Sequence, residues 1–205
     1  GKKQVLDQIE LVVNEGEVVG LVGHNGSGKT MLLRAIIASM RLDNGQVFLK
    51  DLPIVFNQPL PLDVGVIIEN PEFIPHFTWL ENLKYLASIN DNYQEEWVLS
   101  LLKDLDMYQH KDDKVSNYSL GMRQKLAIVQ ALMENQSLIL LDEPTNGLDR
   151  DSVKVVIDLI NKIKTSGKGF LIASHDEQLI QSVSDHVYEI ADGRIVGGQR
   201  WKKRR

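Results

Sequence analysis

The chain has 205 residues, no cysteine and a formal net charge of −5. This length is sufficient for one domain with a substantial buried core, and the lack of cysteine excludes disulfides and thiolate metal sites. Five of the last six residues are basic, and without them the chain has 18 basic against 28 acidic residues, a balance of −10. A body this acidic is a poor match for nucleic acid, so no nucleic-acid partner is expected. The basic end is either a solvated terminus or a contact for anionic lipid.

Apolar patterning predicts alternating strands and helices along the chain. Strand patterns lie at residues 5–13, 18–22, 46–49 and 64–68. A stretch without strand patterning follows, where helical spacing of apolar residues predicts helices at 78–89 and 95–105. Strand patterns return at 137–141, 169–174 and 186–190. This order predicts an α/β core interrupted by a helical segment.

The segment between the predicted strand at 18–22 and the next helix carries the pattern G-x-x-x-x-G-K-T. Its residues are Gly23, His24, Asn25, Gly26, Ser27, Gly28, Lys29 and Thr30. Glycines allow successive backbone N–H groups to surround a phosphate, and the helix N-terminus adds partial positive charge. Lys29 would reach the terminal phosphates, and Thr30 would offer its hydroxyl to magnesium. The alternative is a glycine-rich turn with a chance Lys-Thr pair.

Two carboxylates, Asp142 and Glu143, follow directly after a second apolar run at residues 138–141. A buried parallel strand delivers such side chains to the mouth of a sheet. Asp142 would hold magnesium through its water shell, and Glu143 would orient and polarise an attacking water. A solvated loop start is the alternative interpretation of two adjacent acids.

Three further polar residues stand at the ends of predicted elements. His175 follows the apolar run at 170–174, where it is placed to sense a γ-phosphate. Asp149 precedes an amphipathic helix and fits the position of a helix cap. Ser119 also fits a cap, but capping does not explain Gly121 in the first helical turn, where glycine costs about 1 kcal/mol against alanine.

Together these motifs resemble the nucleotide-binding domain of ABC transporters over essentially the whole chain. Residues 23–30 match the family's Walker A motif, and 138–143 match its Walker B motif. Residues 146–149 match the D-loop, and His175 matches the switch histidine. Residues 118–122, which read Tyr-Ser-Leu-Gly-Met, match the signature motif. Five ordered motifs at compatible spacing make this resemblance specific.

The resemblance implies a P-loop NTPase (RecA-like) α/β core with a mainly parallel sheet, an antiparallel β subdomain and an inserted helical subdomain. It makes residues 1–205 a single ABC ATPase domain. The core would comprise 1–72 and 132–205, and the helical subdomain 73–131.

The resemblance also implies which residues contact ATP and its Mg²⁺. Its phosphate-loop contacts are Gly23, Asn25, Gly26, Ser27, Gly28, Lys29, Thr30 and Met31. Ser119 and Gly121 would bind the γ-phosphate of ATP held by a second subunit, and Asp149 of the D-loop is also assigned to the nucleotide. The implied catalytic residues are Lys29, Glu143 and His175. The implied magnesium ligands are Thr30, Glu69 and Asp142.

This sequence departs from the family pattern around the nucleotide. Leu120 stands where glycine is usual, and Met122 stands where glutamine is usual. Met31 stands where the family often has a second hydroxyl residue, so the usual side-chain hydroxyl contact to the α-phosphate is not expected from it. No aromatic side chain precedes Phe48, so adenine is held either weakly or by a residue outside the sequence.

Glu69 is the most consequential departure, because the family has its Q-loop glutamine at this position. A carboxylate can still ligate magnesium, but it adds negative charge near the phosphates and removes an amide donor. We therefore expect the coupling of this site to the rest of the transporter to be weaker or differently tuned, with ATP hydrolysis retained. Glu69→Gln should therefore keep or raise ATPase activity.

The function that these residues favour is that of the ATP-hydrolysing motor subunit of an ABC exporter. Its expected partners are ATP, a transmembrane permease subunit and a second nucleotide-binding subunit, identical or different. The stretch 67–83 and the signature are similar to exporters of the bacitracin and lantibiotic immunity subgroup. No apolar run approaches the ~20 residues that span a bilayer, so we expect a cytoplasmic protein, peripheral on the membrane's cytoplasmic face. The alternatives are a soluble ABC clamp in DNA repair or translation, and a nucleotide-binding regulator without turnover.

Overall fold

The computed structural model describes residues 4–61, 63–69, 72–90 and 92–200, except for the side chains of Gln199 and Arg200. The strands are β1 (Val18–Val22), β2 (Phe48–Leu49), β3 (Leu52–Pro53), β4 (Val64–Ile67), β5 (Leu138–Asp142), β6 (Gly169–Ala173), β7 (His186–Ala191) and β8 (Arg194–Arg200). The helices are α1 (Lys29–Ile36), α2 (Trp79–Ala87), α3 (Glu95–Asp104), α4 (Leu120–Leu132), α5 (Arg150–Lys164) and α6 (Glu177–Val183). The basic side chains at the end of the chain, for which the sequence predicted a solvated terminus or a lipid contact, lie outside the described residues.

One mixed sheet organises the molecule, with its strands in the order β4-β5-β6-β1-β7-β8. The first five strands are parallel, and β8 runs antiparallel beside β7. Strands β2 and β3 form a separate antiparallel pair. The predicted α/β class, with a mainly parallel sheet, an antiparallel β part and inserted helices, is confirmed.

Both faces of the sheet are buried, which explains the continuous apolar runs in its central strands. In β5, Ile139 and Leu141 belong to a cluster that includes residues of α2, α3, α4, α5 and α6. The intervening Leu140 belongs to a second cluster with Leu32 and Leu33 of α1. Successive strand residues point to opposite faces, so helices on both sides are needed to cover them.

Helices α2, α3 and α4 separate β4 from β5 in the chain. The first of them starts with a capping box, in which the Thr78 hydroxyl accepts from the Glu81 N–H and the Glu81 carboxylate accepts from the Thr78 N–H. Trp79 is completely buried in this helical part, and the Trp97 indole N–H donates to the Leu132 carbonyl at 2.7 Å. The division into a core (1–72 and 132–205) and a helical subdomain (73–131) stays a prediction.

The predicted strand at residues 5–13 is wrong, because these residues pair with no strand. Gln8 has a left-handed backbone, with φ of 50°, which interrupts an extended conformation. The alternation in this segment reflects side-chain packing against the α1 side of the sheet. The side chains that pack there are Leu6, Ile9, Leu11 and Val13.

Two other strand predictions differ from the structure in length or number. The strand predicted at 46–49 shortens to β2, which makes only a two-residue ladder with β3. Strand β8 was not predicted, because Gly197 and Gly198 lie in its middle and glycine weakens strand patterning.

Gly65 allows β4 to approach α4 closely, and this contact generates a stability prediction. A Cβ at Gly65 would lie 1.8 Å from the Ala131 carbonyl oxygen, so the backbone of α4 would have to move. We expect Gly65→Ala to lower the free energy of unfolding by about 3 kcal/mol, the upper end of overpacking costs. Gly197→Ala in β8 is the control, since its Cβ would make only ordinary contacts. Urea denaturation measures both, and equal stability of the two variants would contradict this packing.

Candidate functional site

The loop between β1 and α1 has a conformation that only glycine adopts readily. Gly23, Gly26 and Gly28 have φ of 152°, 81° and 115°. A Cβ at Gly23 would also lie 2.2 Å from the Ile190 carbonyl oxygen. Gly28 is the N-cap of α1, so the loop leads straight into the helix N-terminus. The result is a concave turn with a helix dipole behind it, which favours an anion.

Lys29 lies across this loop with its ammonium group against the backbone. Its Nζ donates to the carbonyl of Gly23 at 2.7 Å and to that of His24 at 3.3 Å. The residue is buried, with 6% of its surface exposed. A positive charge is therefore held at the mouth of the loop, in position to attract a phosphate.

Thr30 and Asp142 join the loop helix to the end of β5. The Thr30 hydroxyl donates to Asp142 Oδ2 at 2.6 Å. Burial raises the pKa of Asp142 above its usual range, although the Thr30 bond opposes the rise. The nearby charge of Glu143 raises this pKa further. Because burial and a neighbouring negative charge both disfavour the ionised carboxylate, a cation bound beside it would stabilise that charge.

The same pair of side chains fits a magnesium ion. Mg²⁺ prefers hard oxygen ligands and is usually bound by one or two carboxylates together with substrate phosphates. A hydroxyl and a carboxylate oxygen 2.6 Å apart, beside an anion-binding loop, supply that donor set. Within the described ranges, no group of three or more His, Cys, Asp or Glu side chains could hold a metal ion alone.

Glu143 has a strained backbone and a carboxylate held by the end of β6. Its φ is 48°, in the left-handed region, and its N–H donates to the Ala173 carbonyl at 2.8 Å. Oε2 lies 2.8 Å from Nδ1 of His175 and accepts from the Ser174 hydroxyl at 3.1 Å. The strand ends of β5 and β6 thus bring together the two residues predicted to act on an attacking water and a phosphate.

Several of these groups line one open cleft, whereas the predicted site residues Gly23, Ser27 and His175 are not among its lining residues. Among the described residues, its lining consists of Val5, Asn25, Gly26, Gly28, Lys29, Thr30, Met31, Asp142 and Glu143. Most of the residues predicted to contact nucleotide and metal are therefore neighbours. Val5 was missed as a lining residue, because an apolar side chain in a predicted strand carries no signal for a site.

Ser119 and Gly121 lie outside the lining of that cleft. Ser119 caps α4, its hydroxyl accepting from the Met122 N–H at 3.2 Å, as predicted. Leu120 is 62% exposed and covers Gly147, where a Cβ would lie 2.6 Å from a Leu120 methyl carbon. The predicted signature thus forms an exposed helix start that packs on the turn after β5.

Asp149 and Glu69 make other contacts in this structure. The Asp149 carboxylate caps α5 by accepting from the Ser152 N–H at 2.8 Å, which confirms its predicted capping position. Glu69, at φ of 63°, pairs with Arg34 of α1. Glu69 also contributes to the raised pKa of Asp142, so its charge is felt at the site. The roles of both residues toward nucleotide and metal stay predictions.

Arg34, Ser174 and Gln124 contact predicted site residues but were missed from the sequence. Arg34 pairs with Glu69, and Ser174 donates to Glu143. Gln124 donates from its amide to the backbone carbonyl of Glu143 at 3.2 Å. No motif marks these three residues, because their contacts depend on which elements the fold brings together.

The fold and the site define a class of protein. A phosphate loop between β1 and α1, with a carboxylate pair at the end of β5 and a histidine just after β6, is the arrangement of the P-loop NTPase fold. The matched family model is that of the ABC transporter, over residues 6–146. The chain therefore belongs to the ABC transporter family, whose model matches more than half of its length.

Curated relatives extend the match over nearly the whole chain. The ABC transporter ATP-binding protein YdbJ of Bacillus subtilis is 39% identical and aligns with 95% of this chain. YybJ of the same organism is 37% identical over 97% of the chain. The bacitracin transport ATP-binding protein BcrA of Enterococcus faecalis is 32% identical over 96% of it. The chain spans 64% of the length of YdbJ and of BcrA, and 91% of that of YybJ.

Solved structures share the fold. An ATP-binding subunit of an ABC transporter superposes with a TM-score of 0.84 at 25% identity, covering 96% of this chain and 83% of that one. A dimeric ATP-binding cassette bound to ADP and phosphate also reaches 0.84, at 23% identity, with coverage of 97% and 91%. In the part of the chain that the structure describes, no helix combines the length and apolar character needed to cross a membrane.

The buried carboxylate of Asp142 generates a pH prediction. Its pKa is raised in the folded state above the ordinary value of 3.8. As the pH rises from the unfolded pKa through the folded pKa, ionisation of this carboxyl therefore lowers the free energy of unfolding. We expect Asp142→Asn to raise the Tm of the nucleotide-free protein at pH 7. The gain over wild type should vanish below the unfolded pKa. Asp158→Asn, at an exposed position of α5, is the control, and a lower Tm for Asp142→Asn at pH 7 would contradict the burial cost.

The Glu69–Arg34 pair generates a prediction on activity. Glu69→Gln removes a negative charge near Asp142 and restores an amide, so we expect kcat for ATP equal to or above that of wild type. Phosphate release at saturating ATP and magnesium measures this. Glu72→Gln, which removes an exposed carboxylate three positions further along the chain, is the control and should leave kcat unchanged. Loss of hydrolysis in Glu69→Gln would show that the carboxylate has a function that glutamine cannot replace.

Proposed function

We propose that the chain is the ATP-hydrolysing motor subunit of an ABC exporter, in which ATP is held between two nucleotide-binding subunits. A separate transmembrane subunit would form the transport path. The proposal adds ATP hydrolysis, a pair of nucleotide-binding subunits and the direction of export to membership of the family. It is supported by the site geometry and by the character of the curated relatives.

The observation that carries the proposal is the position of the α4 N-terminus. Ser119 and Gly121 present a hydroxyl and backbone N–H groups at a helix start, yet they lie outside the lining of the cleft formed by Lys29 and Asp142. A helix N-terminus of this kind suits a phosphate. A second subunit would bring its own α4 start to the open side of this cleft and complete the site.

The predicted site residues in and beside the cleft have separate roles in this proposal. The backbone N–H groups of the loop and the Lys29 ammonium hold the phosphates and neutralise charge that develops on them. Thr30 and Asp142 hold Mg²⁺, which supplies charge neutralisation at the phosphates when bound. Glu143 orients the attacking water, and His175 fixes the Glu143 carboxylate and contacts the terminal phosphate. Positioning and electrostatics carry most of the catalysis in phosphoryl transfer.

The exporter direction and the membrane partner rest on relatives and on the signature. BcrA is a bacitracin transport ATP-binding protein, and the stretch 67–83 with residues 119–122 is similar to that subgroup. The relatives reported above are named as transporter ATP-binding proteins, and none is named for DNA repair or translation. Residues 73–90 are the proposed seat of the membrane partner. Cytoplasmic, membrane-peripheral placement follows from the same proposal.

A shared site predicts nucleotide-dependent dimerisation. Glu143→Gln should bind ATP with magnesium and hydrolyse it very slowly, so we expect a dimer with ATP and a monomer without it. Light scattering after size exclusion measures this. Adding Ser119→Arg should abolish the dimer, because a bulky cation would occupy the phosphate contact of the α4 start.

Ser88→Arg, at an exposed serine after α2, is the matched control and should dimerise like Glu143→Gln alone. A monomer of Glu143→Gln at high protein and ATP concentration would refute self-pairing. A dimer that survives Ser119→Arg would refute the role of the α4 start. Phosphate release by wild type, lost in Glu143→Gln, separates an ATPase from a regulator without turnover.

A further inference from the structure

Gln124 is a polar side chain buried one turn beyond the start of α4. It is 6% exposed, and its amide nitrogen donates to the carbonyls of Glu143 at 3.2 Å and Pro144 at 3.1 Å. An amide nitrogen carries two hydrogens, so both bonds form at once. Both partners are acceptors, which fixes the orientation of the amide group. This side chain links α4 to the backbone that carries the predicted catalytic carboxylate.

The backbone at Glu143 requires such a support. Its φ of 48° lies in the left-handed region, which a glutamate occupies only where the surroundings hold it. Its N–H is held by the Ala173 carbonyl, and its own carbonyl accepts from Asn146 as well as from Gln124. Gln124 thus gives α4 a direct hydrogen bond to this residue, in addition to the bond from β6.

The start of α4 also packs directly on the turn that follows Glu143. Leu120 covers Gly147, which has φ of 77°, and a Cβ at Gly121 would lie 3.4 Å from the Gly147 carbonyl oxygen. The turn and the helix start therefore fit each other closely. A displacement of the helix start would be felt at Glu143 through both the packing and the Gln124 amide.

We propose that Gln124 is a positioning residue that couples the exposed Ser119–Gly121 end of α4 to the Glu143 carboxylate of the same chain. The inference rests on the proposed function, in which that end binds ATP held by a second subunit. Docking of the α4 start on the partner's nucleotide then sets the position of Glu143 at this chain's own nucleotide. In each chain, ATP binding at the partner's site would thus affect the position of the catalytic carboxylate at the chain's own site.

The test replaces Gln124 with methionine, which matches its length and helix preference but has no donor. The Pro144 carbonyl loses the Gln124 bond, and the Glu143 carbonyl keeps only Asn146. We expect kcat for ATP hydrolysis to fall at least about tenfold, since a small misplacement of a catalytic group has large effects. The Kd for ATP with magnesium should stay within about twofold, because Gln124 lies outside the cleft lining.

Gln130→Met is the matched control on the same helix. Its amide oxygen is buried without a partner in the described residues, so the substitution removes no acceptor from the site. We expect its kcat to stay within about twofold of wild type. Gln124→Asn is the second variant, because it keeps an amide that is one methylene too short to reach the two carbonyls. It should reproduce the loss of kcat with ATP binding retained.

The outcomes separate positioning from a purely structural role. A lower kcat in both Gln124 variants, with ATP affinity retained and with Tm no lower than that of Gln130→Met, supports the proposal. Unchanged kcat in Gln124→Met overturns it. An equal loss of kcat in Gln130→Met also overturns it, because any disturbance of α4 would then suffice. Absence of hydrolysis by wild type would instead refute the proposed function itself.

Discussion

The hydrogen bond between the Thr30 hydroxyl and the partly buried carboxylate of Asp142 is the interaction on which the arrangement of the site depends. The bond fixes the start of α1, the helix that follows β1, against the end of β5, and β6 separates β1 from β5 in the sheet. It thereby sets where the phosphate loop, the predicted metal ligands and Glu143 lie relative to one another. Burial raises the pKa of Asp142, so its charged form is disfavoured in this arrangement, and a bound cation would offset that cost.

A second constraint is the parallel register of β5, β6 and β1. Since their carboxyl ends lie at one edge, residues far apart in sequence become neighbours without any long loop. Glu143 and His175 meet because β6 is the strand beside β5. Gln124 reaches the same edge from α4, which lies on the face opposite α1. This edge of the sheet, which carries the predicted catalytic residues, is therefore supported by the neighbouring strands and by α4.

The sequence predicted the parts of the site that have fixed spacing in the chain. The loop at 23–30, the two acids at the end of β5 and the histidine after β6 could be found because each adjoins an apolar strand pattern. Contacts between elements could not be found this way. Arg34 with Glu69, and Gln124 with the Glu143 carbonyl, depend on tertiary placement, and the false strand at 5–13 arose because packing imposed the same alternation as a ladder.

The contact between Leu120 and Gly147 links the signature to the turn after β5. The leucine side chain occupies the space above a residue that has no side chain and a left-handed backbone. Exchanging Leu120 for the usual glycine would leave a gap between α4 and the turn after β5. The identity of position 120 is thus tied to that of position 147, and the two positions should be exchanged together when signatures are transplanted between cassettes.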